Sequence, residues 1–220
     1  MPELCLNCFK RVDRLVEDLK KLLADKQVKD LVSKRINEFK ELGKGSCEAL
    51  FKELCFCILT ANYNAEKGIK IQKVIGDGFL NMKYEELAKK LRVLGHRFPE
   101  TRARYIVGAR EYAKSLRDIL AQFGSEEKAR EWLVKNIKGI GYKEASHFLR
   151  NIGCFNLSIL DIHIINLLEH YGIVKRPKSL TKKKYLEIEN ILREIAKRLN
   201  LTLGELDLYL WYMGTGKVLK

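Results

Sequence analysis

The chain lacks the features that would place it in a membrane or on the secretory route. No apolar run approaches the roughly 20 residues needed to span a bilayer. The N-terminus also lacks the charged, apolar and small-residue order of a secretion signal. These absences predict a cytoplasmic protein with no membrane partner.

Strand patterns and internal repeats are absent as well. No segment alternates apolar and polar residues with a period of two, and there are no low-complexity segments. Apolar residues instead recur at helical spacing from Leu6 to Ala24 and through most of the remaining chain. The sequence therefore predicts an all-α fold.

The six cysteines do not form a complete metal site. The first two, Cys5 and Cys8, have the spacing of metal ligands. A closed zinc site needs about four ligands, and no second pair with this spacing follows. The other four are Cys47, Cys55, Cys57 and Cys154. We expect mostly buried thiols, no bound metal and no other cofactor.

Negative charge is in short supply. Twenty-eight Asp and Glu residues face 42 Lys and Arg residues, which gives a formal net charge of +14. A polyanionic partner follows naturally from this excess, and nucleic acid fits better than a membrane surface. The alternative is a basic surface that serves only solubility, as in some thermophilic proteins.

A glycine turn between two amphipathic segments stands out. Residues 138–143 read Lys-Gly-Ile-Gly-Tyr-Lys, and Gly139 and Gly141 allow a sharp turn whose N–H groups suit a phosphate. Ser125 is the predicted N-cap of the helix before the turn. The helix after the turn closes at Gly153. The spacing predicts a helix-hairpin-helix over residues 125–152.

A lone acid follows this hairpin in the sequence Leu-Asp-Ile-His, with Asp161 eighteen residues after Lys143. The turn, the lysine and the aspartate together resemble the helix-hairpin-helix DNA glycosylases. The resemblance implies a two-lobed helical fold without an iron–sulfur cluster. Residues 64–153 would form a central helical barrel lobe. Residues 1–63 and 154–220 would form a second lobe that carries the Asp161 loop and the C-terminal tail.

The resemblance also implies catalytic roles for two residues. The Asp161 carboxylate would stabilise positive charge that builds on the sugar as the base leaves. Lys143 would attack C1′ and form a Schiff base, because it starts a helix whose positive end favours the uncharged amine. Such a lysine implies a bifunctional enzyme with both glycosylase and lyase activity. The alternatives are a phosphate contact for Lys143 and a helix N-cap for Asp161.

Three further residues occupy positions that contact DNA in this family. Residues 59–62 read Leu-Thr-Ala-Asn, and Asn62 matches the amide residue that enters the duplex beside the extruded nucleotide. Arg97 and Phe98 lie in a loop that resembles the family's duplex-inserting wedge. The alternatives are an ordinary C-cap for Asn62 and a solvated turn, with Phe98 folded into the core, for the loop.

The C-terminal region bears on which base is removed. Relatives that act on oxidised pyrimidines or mispairs carry four cluster-binding cysteines, and no cysteine follows Cys154. The tail resembles that of the small archaeal-type 8-oxoguanine glycosylases. In this reading Trp211 offers a surface on which the flipped base stacks, and the terminal carboxylate of Lys220 accepts the hydrogen on N7. The alternative is a frayed basic tail.

The resemblance leaves one departure and two rival functions. Family members often have basic residues where this chain has Ile162 and Asn166, which weakens the inferred grip on DNA phosphates. We expect a monomeric enzyme, associated with DNA, that excises 8-oxoguanine from double-stranded DNA and then cleaves the strand by β-elimination. The rivals are another lesion specificity on the same fold (an oxidised pyrimidine or a mismatch) and a non-catalytic helix-hairpin-helix DNA-binding module.

Overall fold

The structure is a computed structural model that describes residues 6–220, with side chains from Lys10 onward. Cys5 and the side chain of Cys8 lie outside the described residues, so their pairing as metal ligands stays a prediction. Across the described residues the chain is helical and contains no strand. This confirms the predicted all-α class. No helix in this part of the chain is long and apolar enough to cross a membrane.

The described residues form thirteen α-helices and one 3₁₀ turn. The first seven are α1 (Leu6–Ala24), α2 (Lys26–Lys44), α3 (Cys47–Thr60), α4 (Ala65–Ile75), α5 (Gly78–Asn81), α6 (Tyr84–Val93) and α7 (Pro99–Ala109). After the 3₁₀ turn at Arg110–Tyr112 follow α8 (Leu116–Ala121), α9 (Glu126–Asn136), α10 (Tyr142–Asn151), α11 (Ile162–His170), α12 (Lys182–Leu199) and α13 (Leu203–Thr215).

Side-chain caps fix where several helices begin. The hydroxyl of Ser46 accepts from the Ala49 N–H at 3.2 Å, and Ser125 accepts from the Lys128 N–H at 3.3 Å. Thr181 caps α12 in the same way. Each cap satisfies one of the N–H groups that the first turn of a helix leaves unpaired. The start at Ser125 was predicted from the sequence and is confirmed.

One predicted helix is wrong in its bounds. The periodicity predicts continuous helix from Tyr105 to Ala121, but α7 begins at Pro99 and the chain breaks after Ala109. Proline suits the first helical turn because its fixed φ matches the helix and its missing N–H is not needed there. At the break, Arg110 Nε donates to the Phe79 carbonyl at 2.8 Å. Apolar residues keep their helical spacing across the break, so periodicity alone does not reveal it.

The chain forms two compact units. The central unit comprises Phe39–Cys154 together with Lys220, and the terminal unit comprises the described residues up to Glu38 with Phe155–Leu219. The predicted boundary after residue 63 differs from this grouping, because the structure places residues 39–63 in the central unit. Within that unit α3 packs against α4, α7, α8 and α10. Lys220 is likewise grouped with the central unit rather than with the tail before it.

Each unit has its own apolar core. In the central unit, α3 is buried from Leu50 to Thr60 except for Lys52, as expected for a helix with apolar residues on most sides. In the terminal unit, α12 buries Tyr185, Ile188 and Leu192, and both α1 and α13 pack against α12. Most of the candidate residues lie on helix ends and turns, whereas Trp211 lies within α13 and Lys220 in the segment after it.

Candidate active site

The hairpin turn of the central unit requires only one of its two glycines. Gly139 has a φ of +86°, and a Cβ at this position would lie 2.3 Å from Cδ2 of Tyr105. A side chain there would therefore meet both backbone strain and an aromatic ring. Ile137 and Ile140 are buried on either side and hold the turn.

Gly141 plays a different part from the one its spacing suggests. Its φ of −99° and ψ of −171° are extended values that any residue adopts. Its N–H donates to Oε2 of Glu144 at 3.3 Å, which caps the start of α10. Gly141 thus marks the N-terminus of the second hairpin helix, while the sharp turn depends on Gly139.

Lys143 is the second residue of α10 and lies at its positive end. Its side chain is 24% exposed, and Nζ lies 3.6 Å from Oε1 of Glu144. Glu144 therefore contacts both the Gly141 N–H and the Lys143 amine. The amine is accessible, yet it is held beside a partly buried carboxylate.

A buried arginine joins the two hairpin helices beneath Lys143. Arg130 of α9 is 1% exposed, and its Nη1 donates to Oγ of Ser146 at 3.2 Å. Its guanidinium carbon lies 5.0 Å from the ring centroid of Tyr142. The Tyr142 hydroxyl in turn donates to Glu131 on α9. These contacts fix the helix that carries Lys143.

Lys220 is anchored in the central unit, which excludes the frayed-tail alternative. Its Nζ donates to Oε2 of Glu53 at 2.8 Å and to Oε1 of Gln72 at 2.5 Å. The same nitrogen lies 4.3 Å from the ring centroid of Phe56. Only 17% of the Lys220 side chain is exposed. An ion pair, a hydrogen bond and a cation–π contact therefore hold this residue.

Glu53 was missed as a site residue at the sequence level. It is buried in α3 and also accepts from Asn151 Nδ2 at 2.6 Å and from Gln72 Nε2 at 3.0 Å. A buried carboxylate needs such partners, because an unpaired buried charge is costly. The available signal was a single acid, next to Lys52, in a helix segment whose other residues from Ala49 to Leu59 are apolar.

His147 lies close to both Lys143 and Lys220. It lies one helical turn after Lys143, and it forms a hydrogen bond with the Lys220 backbone. Burial lowers the pKa of His147 well below its usual value, and the positive charges of Arg150, Lys143 and Lys220 lower it further. The hydrogen bond to Lys220 acts in the opposite direction. Burial and these nearby cations therefore both favour the neutral imidazole.

Asp161 caps α11 in the terminal unit. Its Oδ1 accepts from the Ile164 N–H at 2.9 Å. The N-cap alternative for this residue is therefore correct as a description of the structure. The carboxylate is only partly buried, and Ile162 beside it is 49% exposed. A capping role does not conflict with a catalytic one, since accepting a hydrogen bond leaves the negative charge of the carboxylate in place.

The structure brings Trp211 next to the Asp161 loop. The Trp211 ring meets the edge of His163 with the centroids 4.8 Å apart and the planes at 71°. His163 lies two residues after Asp161, so it connects this loop with α13. The Trp211 Nε1 is buried and has no hydrogen-bond partner among the described residues. An indole N–H of this kind usually finds a partner when it is buried.

A cation lies close to Asn166, where the family often has a basic residue. Arg176 Nη1 donates to Oδ1 of Asn166 at 3.2 Å, and the Arg176 N–H donates to Oε1 of Glu169. Arg176 is exposed. A positive charge thus lies beside position 166, on the segment that follows the helix.

Asn62, Arg97 and Phe98 lie on neighbouring turns of the central unit. Asn62 has a φ of +56° just past the end of α3 and is exposed. Asparagine tolerates this left-handed conformation, so the C-cap alternative describes its backbone correctly. Arg97 is exposed, and its guanidinium lies 5.0 Å from the half-buried Phe98 ring. Phe98 is therefore neither fully solvated nor folded into the core.

Three cysteine thiols of the described residues, those of Cys55, Cys57 and Cys154, are poor candidates for chemistry. Burial raises the pKa of Cys55 and Cys57 well above the usual value and raises that of Cys154 to about 12. In the part of the chain that the structure describes, no three His, Cys, Asp or Glu side chains are grouped to hold a metal ion.

Comparison with known proteins identifies the family. A family model described as 8-oxoguanine DNA glycosylase matches residues 32–201, most of the chain. The chain belongs to the 8-oxoguanine DNA glycosylase family. This confirms the family that the hairpin, the lysine and the aspartate predicted.

Relatives of the 8-oxoguanine DNA glycosylase family match over nearly the full length. The chain is 58% identical over 206 residues to the 8-oxoguanine DNA glycosylase/AP lyase of Methanocaldococcus jannaschii, covering 93% of this chain and 97% of the relative. It is 55% identical over 210 residues to the protein of the same name from Korarchaeum cryptofilum, covering 95% of this chain and 99% of that one.

Solved structures of this family share the fold. The M. jannaschii 8-oxoguanine glycosylase/lyase, in complex with a 15mer DNA containing 8-oxoguanine, matches with a TM-score of 0.91 at 55% identity. That match covers 94% of this chain and 100% of the other. The glycosylase of Thermotoga maritima matches with a TM-score of 0.89 at 47% identity, covering 95% and 100%.

Proposed function

We propose that this protein excises 8-oxoguanine from double-stranded DNA and then cleaves the strand 3′ to the abasic site. The observation that carries the proposal is the placement of Lys143 in the first turn of the second hairpin helix, accessible and supported by Arg130 and Glu144. The relatives named above are described as 8-oxoguanine DNA glycosylase/AP lyases, which supports the same activities here.

The proposed chemistry begins with the loss of the base. The Lys143 amine attacks C1′ of the extruded nucleotide, and the bond from C1′ to the base breaks, so that the base leaves with the electron pair and takes up a proton. The Asp161 carboxylate stabilises the positive charge that develops on the sugar. Opening of the sugar ring then gives a Schiff base between Lys143 and C1′.

Strand cleavage follows from this Schiff base. Loss of a proton from C2′ and departure of the 3′ phosphate complete a β-elimination. Hydrolysis of the imine by water then regenerates the Lys143 amine. The glycosylase and lyase steps thus depend on the same lysine, whereas only the first requires recognition of the base.

Base recognition is proposed for Lys220 and Trp211. 8-Oxoguanine differs from guanine in carrying a hydrogen on N7, so a discriminating site needs an acceptor that faces this atom. We assign this role to a main-chain oxygen of Lys220, whose side chain is fixed by Glu53 and Gln72. Trp211 offers a flat apolar surface for a purine.

DNA binding is proposed for the hairpin turn and for the exposed turns of the central unit. The N–H groups at Gly139 and Gly141 would contact a phosphate. A phosphate at Gly141 has to displace the Glu144 carboxylate from this N–H. Asn62, Arg97 and Phe98 would enter the duplex beside the extruded nucleotide. We further propose that the enzyme acts on DNA in the cytoplasm as a monomer.

Borohydride trapping tests the proposal directly. The protein, incubated with a duplex that contains one 8-oxoguanine and reduced with borohydride, should form a covalent complex. Lys143→Gln should abolish trapping and leave duplex binding nearly unchanged. Lys138→Gln removes an exposed lysine from the same turn and should still trap. Trapping that persists in Lys143→Gln would contradict the assignment of the nucleophile.

Two alternatives are separated by the same assay. A panel of duplexes, each with one lesion or mismatch, would reveal a different specificity if thymine glycol or a mispair is trapped in preference to 8-oxoguanine. A non-catalytic hairpin module would bind these duplexes and trap none of them.

A further inference from the structure

A buried histidine connects the two turns proposed to enter the duplex. His96 is 5% exposed, and the Phe98 N–H donates to its Nδ1 at 3.0 Å. Because Nδ1 accepts, the ring hydrogen of the neutral imidazole is on Nε2, which lies 3.0 Å from the Leu59 carbonyl and donates to it. One side chain thus bonds the backbone of the 95–98 loop and the end of α3.

Two further bonds join the same segments. The Tyr63 hydroxyl donates to the Gly95 carbonyl at 3.0 Å, and its ring stacks on His96 with the centroids 4.2 Å apart. The buried Arg102 guanidinium donates to the Ala61 carbonyl. The carbonyl groups at a helix C-terminus have no partner within the helix. His96 and Arg102 therefore satisfy carbonyls at the end of α3 and connect that end to the loop.

The exposed residues of the two turns lie next to these bonds. Asn62 lies between Ala61, which bonds Arg102, and Tyr63, which bonds Gly95. Phe98 is held through its own N–H by His96. The spacing between the Asn62 turn and the Arg97–Phe98 loop is therefore set by the side chains of His96, Tyr63 and Arg102. We call these three side chains the bridge.

We propose that His96 is a positioning residue that holds the Asn62 turn and the Arg97–Phe98 loop at a fixed spacing, so that both enter the duplex together when the damaged nucleotide is extruded. This inference rests on the proposed function, because it assumes that these turns contact DNA. It adds the residue that makes the two turns a single inserting edge.

The imidazole suits this role in its neutral form. Burial holds the pKa of His96 below its usual value, and the nearby Arg102 guanidinium lowers it further, while the bond to Leu59 acts in the opposite direction. A protonated ring would place a hydrogen on Nδ1, facing the Phe98 N–H, and would lose that bond. Both ring nitrogens are used, which offsets the cost of burying a polar group.

Three variants distinguish a positioning role of His96, through its two hydrogen bonds, from a role in stability alone. His96→Phe removes both bonds and keeps an aromatic ring. His96→Asn keeps an acceptor near the Nδ1 position, and His96→Gln keeps a donor near the Nε2 position, so each retains one bond and loses the bridge. His170→Phe replaces an exposed histidine and is the matched control.

Each variant is assayed on three substrates: an 8-oxoguanine–cytosine duplex, the same strand with 8-oxoguanine in a one-nucleotide bulge, and a duplex with a preformed abasic site. The bulged base is largely unstacked, so its extrusion needs little help from the inserting edge. We expect all three His96 variants to lose about tenfold in single-turnover excision from the duplex. Bulge excision and abasic-site cleavage should stay within about threefold of the unsubstituted protein.

The remaining outcomes are equally informative. Equal loss on all three substrates would show that His96 serves stability alone, and full duplex activity in His96→Phe would show that the bridge does not position the turns. Either result would overturn the inference while leaving the proposed function intact. If the unsubstituted protein excises nothing from duplex or bulge, the proposed function fails, and the positioning role fails with it.

Discussion

The ammonium of Lys220 lies 2.8 Å from Oε2 of Glu53, a carboxylate inside α3 whose side chain is only 3% exposed. The pair joins residue 220 to a helix 167 positions earlier in the chain. It fixes the residue that we propose reads the N7 hydrogen of 8-oxoguanine, and it neutralises a buried charge. On this proposal, both the stability of the fold and the recognition of the base depend on the same contact.

The first prediction follows from this pair. Lys220→Ala leaves Glu53 buried without its cation, and we expect a loss of about 2–4 kcal/mol in the free energy of unfolding. The neutral double variant Glu53→Gln with Lys220→Ala should recover part of that loss. Denaturant titration of the single and double variants measures both values. Equal instability of the two would mean that the unpaired charge of Glu53 is not the cause of the loss.

A second prediction concerns the proposed role of Lys220 in base recognition. Glu53→Gln, or a tag added after Lys220, should lower 8-oxoguanine excision far more than cleavage at a preformed abasic site, because only excision requires base recognition. Single-turnover rates on the two substrates give the ratio. Equal losses on both, or no loss on either, would remove Lys220 from base recognition.

Two substitutions of Asp161 distinguish its capping role from its proposed catalytic role. Asparagine and aspartate are about equally good N-caps, so Asp161→Asn should keep the bond to the Ile164 N–H and lose only the charge. We expect unchanged thermal stability and a loss of about 10²–10³ in the excision rate. Asp161→Ala should lose a similar rate and also about 1 kcal/mol of stability.

An Asp161→Asn variant that unfolds, or one that excises at the normal rate, would contradict this assignment. The first outcome would mean that the carboxylate is needed for the fold itself. The second would mean that capping is its only role.

Local features were predictable from sequence, and long-range pairings were not. The helix starts capped by Ser46 and Ser125 follow from bonds to residues three positions away. The contact between Glu53 and Lys220 involves residues 167 positions apart, and no local pattern specifies it. The same holds for His96, whose bond to Leu59 spans 37 positions.

The two glycines of the hairpin turn have different structural roles, although the sequence pattern that contains them was identified correctly. Gly139 and Gly141 look equivalent in sequence, but only Gly139 has positive φ and only its position lies against Tyr105. Tyr105 comes from α7, so the need for a glycine at position 139 is partly a tertiary effect. The family was nevertheless predictable, because the spacing from Lys143 to Asp161 can be read directly from the sequence and requires no knowledge of tertiary contacts.

The basic charge should appear as a steep salt dependence of DNA binding. Each phosphate that a cation neutralises releases counterions, so the affinity for any duplex should fall linearly on a plot of log K against log salt. If Arg176 supplies the charge missing at Asn166, Arg176→Ala should reduce the slope by about 1. Lys21→Ala, at an exposed lysine paired with Asp18, should leave the slope unchanged. A flat response in the unsubstituted protein would mean that the charge serves another purpose.

The last prediction concerns pH. His96 and His147 both have a pKa in the folded protein below the ordinary value of 6.5, chiefly because of burial. Below pH 6.5 the unfolded chain therefore binds protons that the folded chain does not, and stability rises with pH in this range. The stability these groups contribute is fully present above pH 6.5 and is lost as the pH falls towards their folded pKa values. Carboxylates such as Asp18 and Glu100, whose pKa values are also lowered, add their own loss of stability only below about pH 5, starting from ordinary values near 4.

Denaturant titrations at pH 7.5, 6.5 and 5.5 should thus show a decline in the free energy of unfolding that is smaller in His96→Phe, because that variant has one buried imidazole fewer to protonate on unfolding. An identical decline in His96→Phe and in the exposed-site control His170→Phe would show that His96 is not responsible.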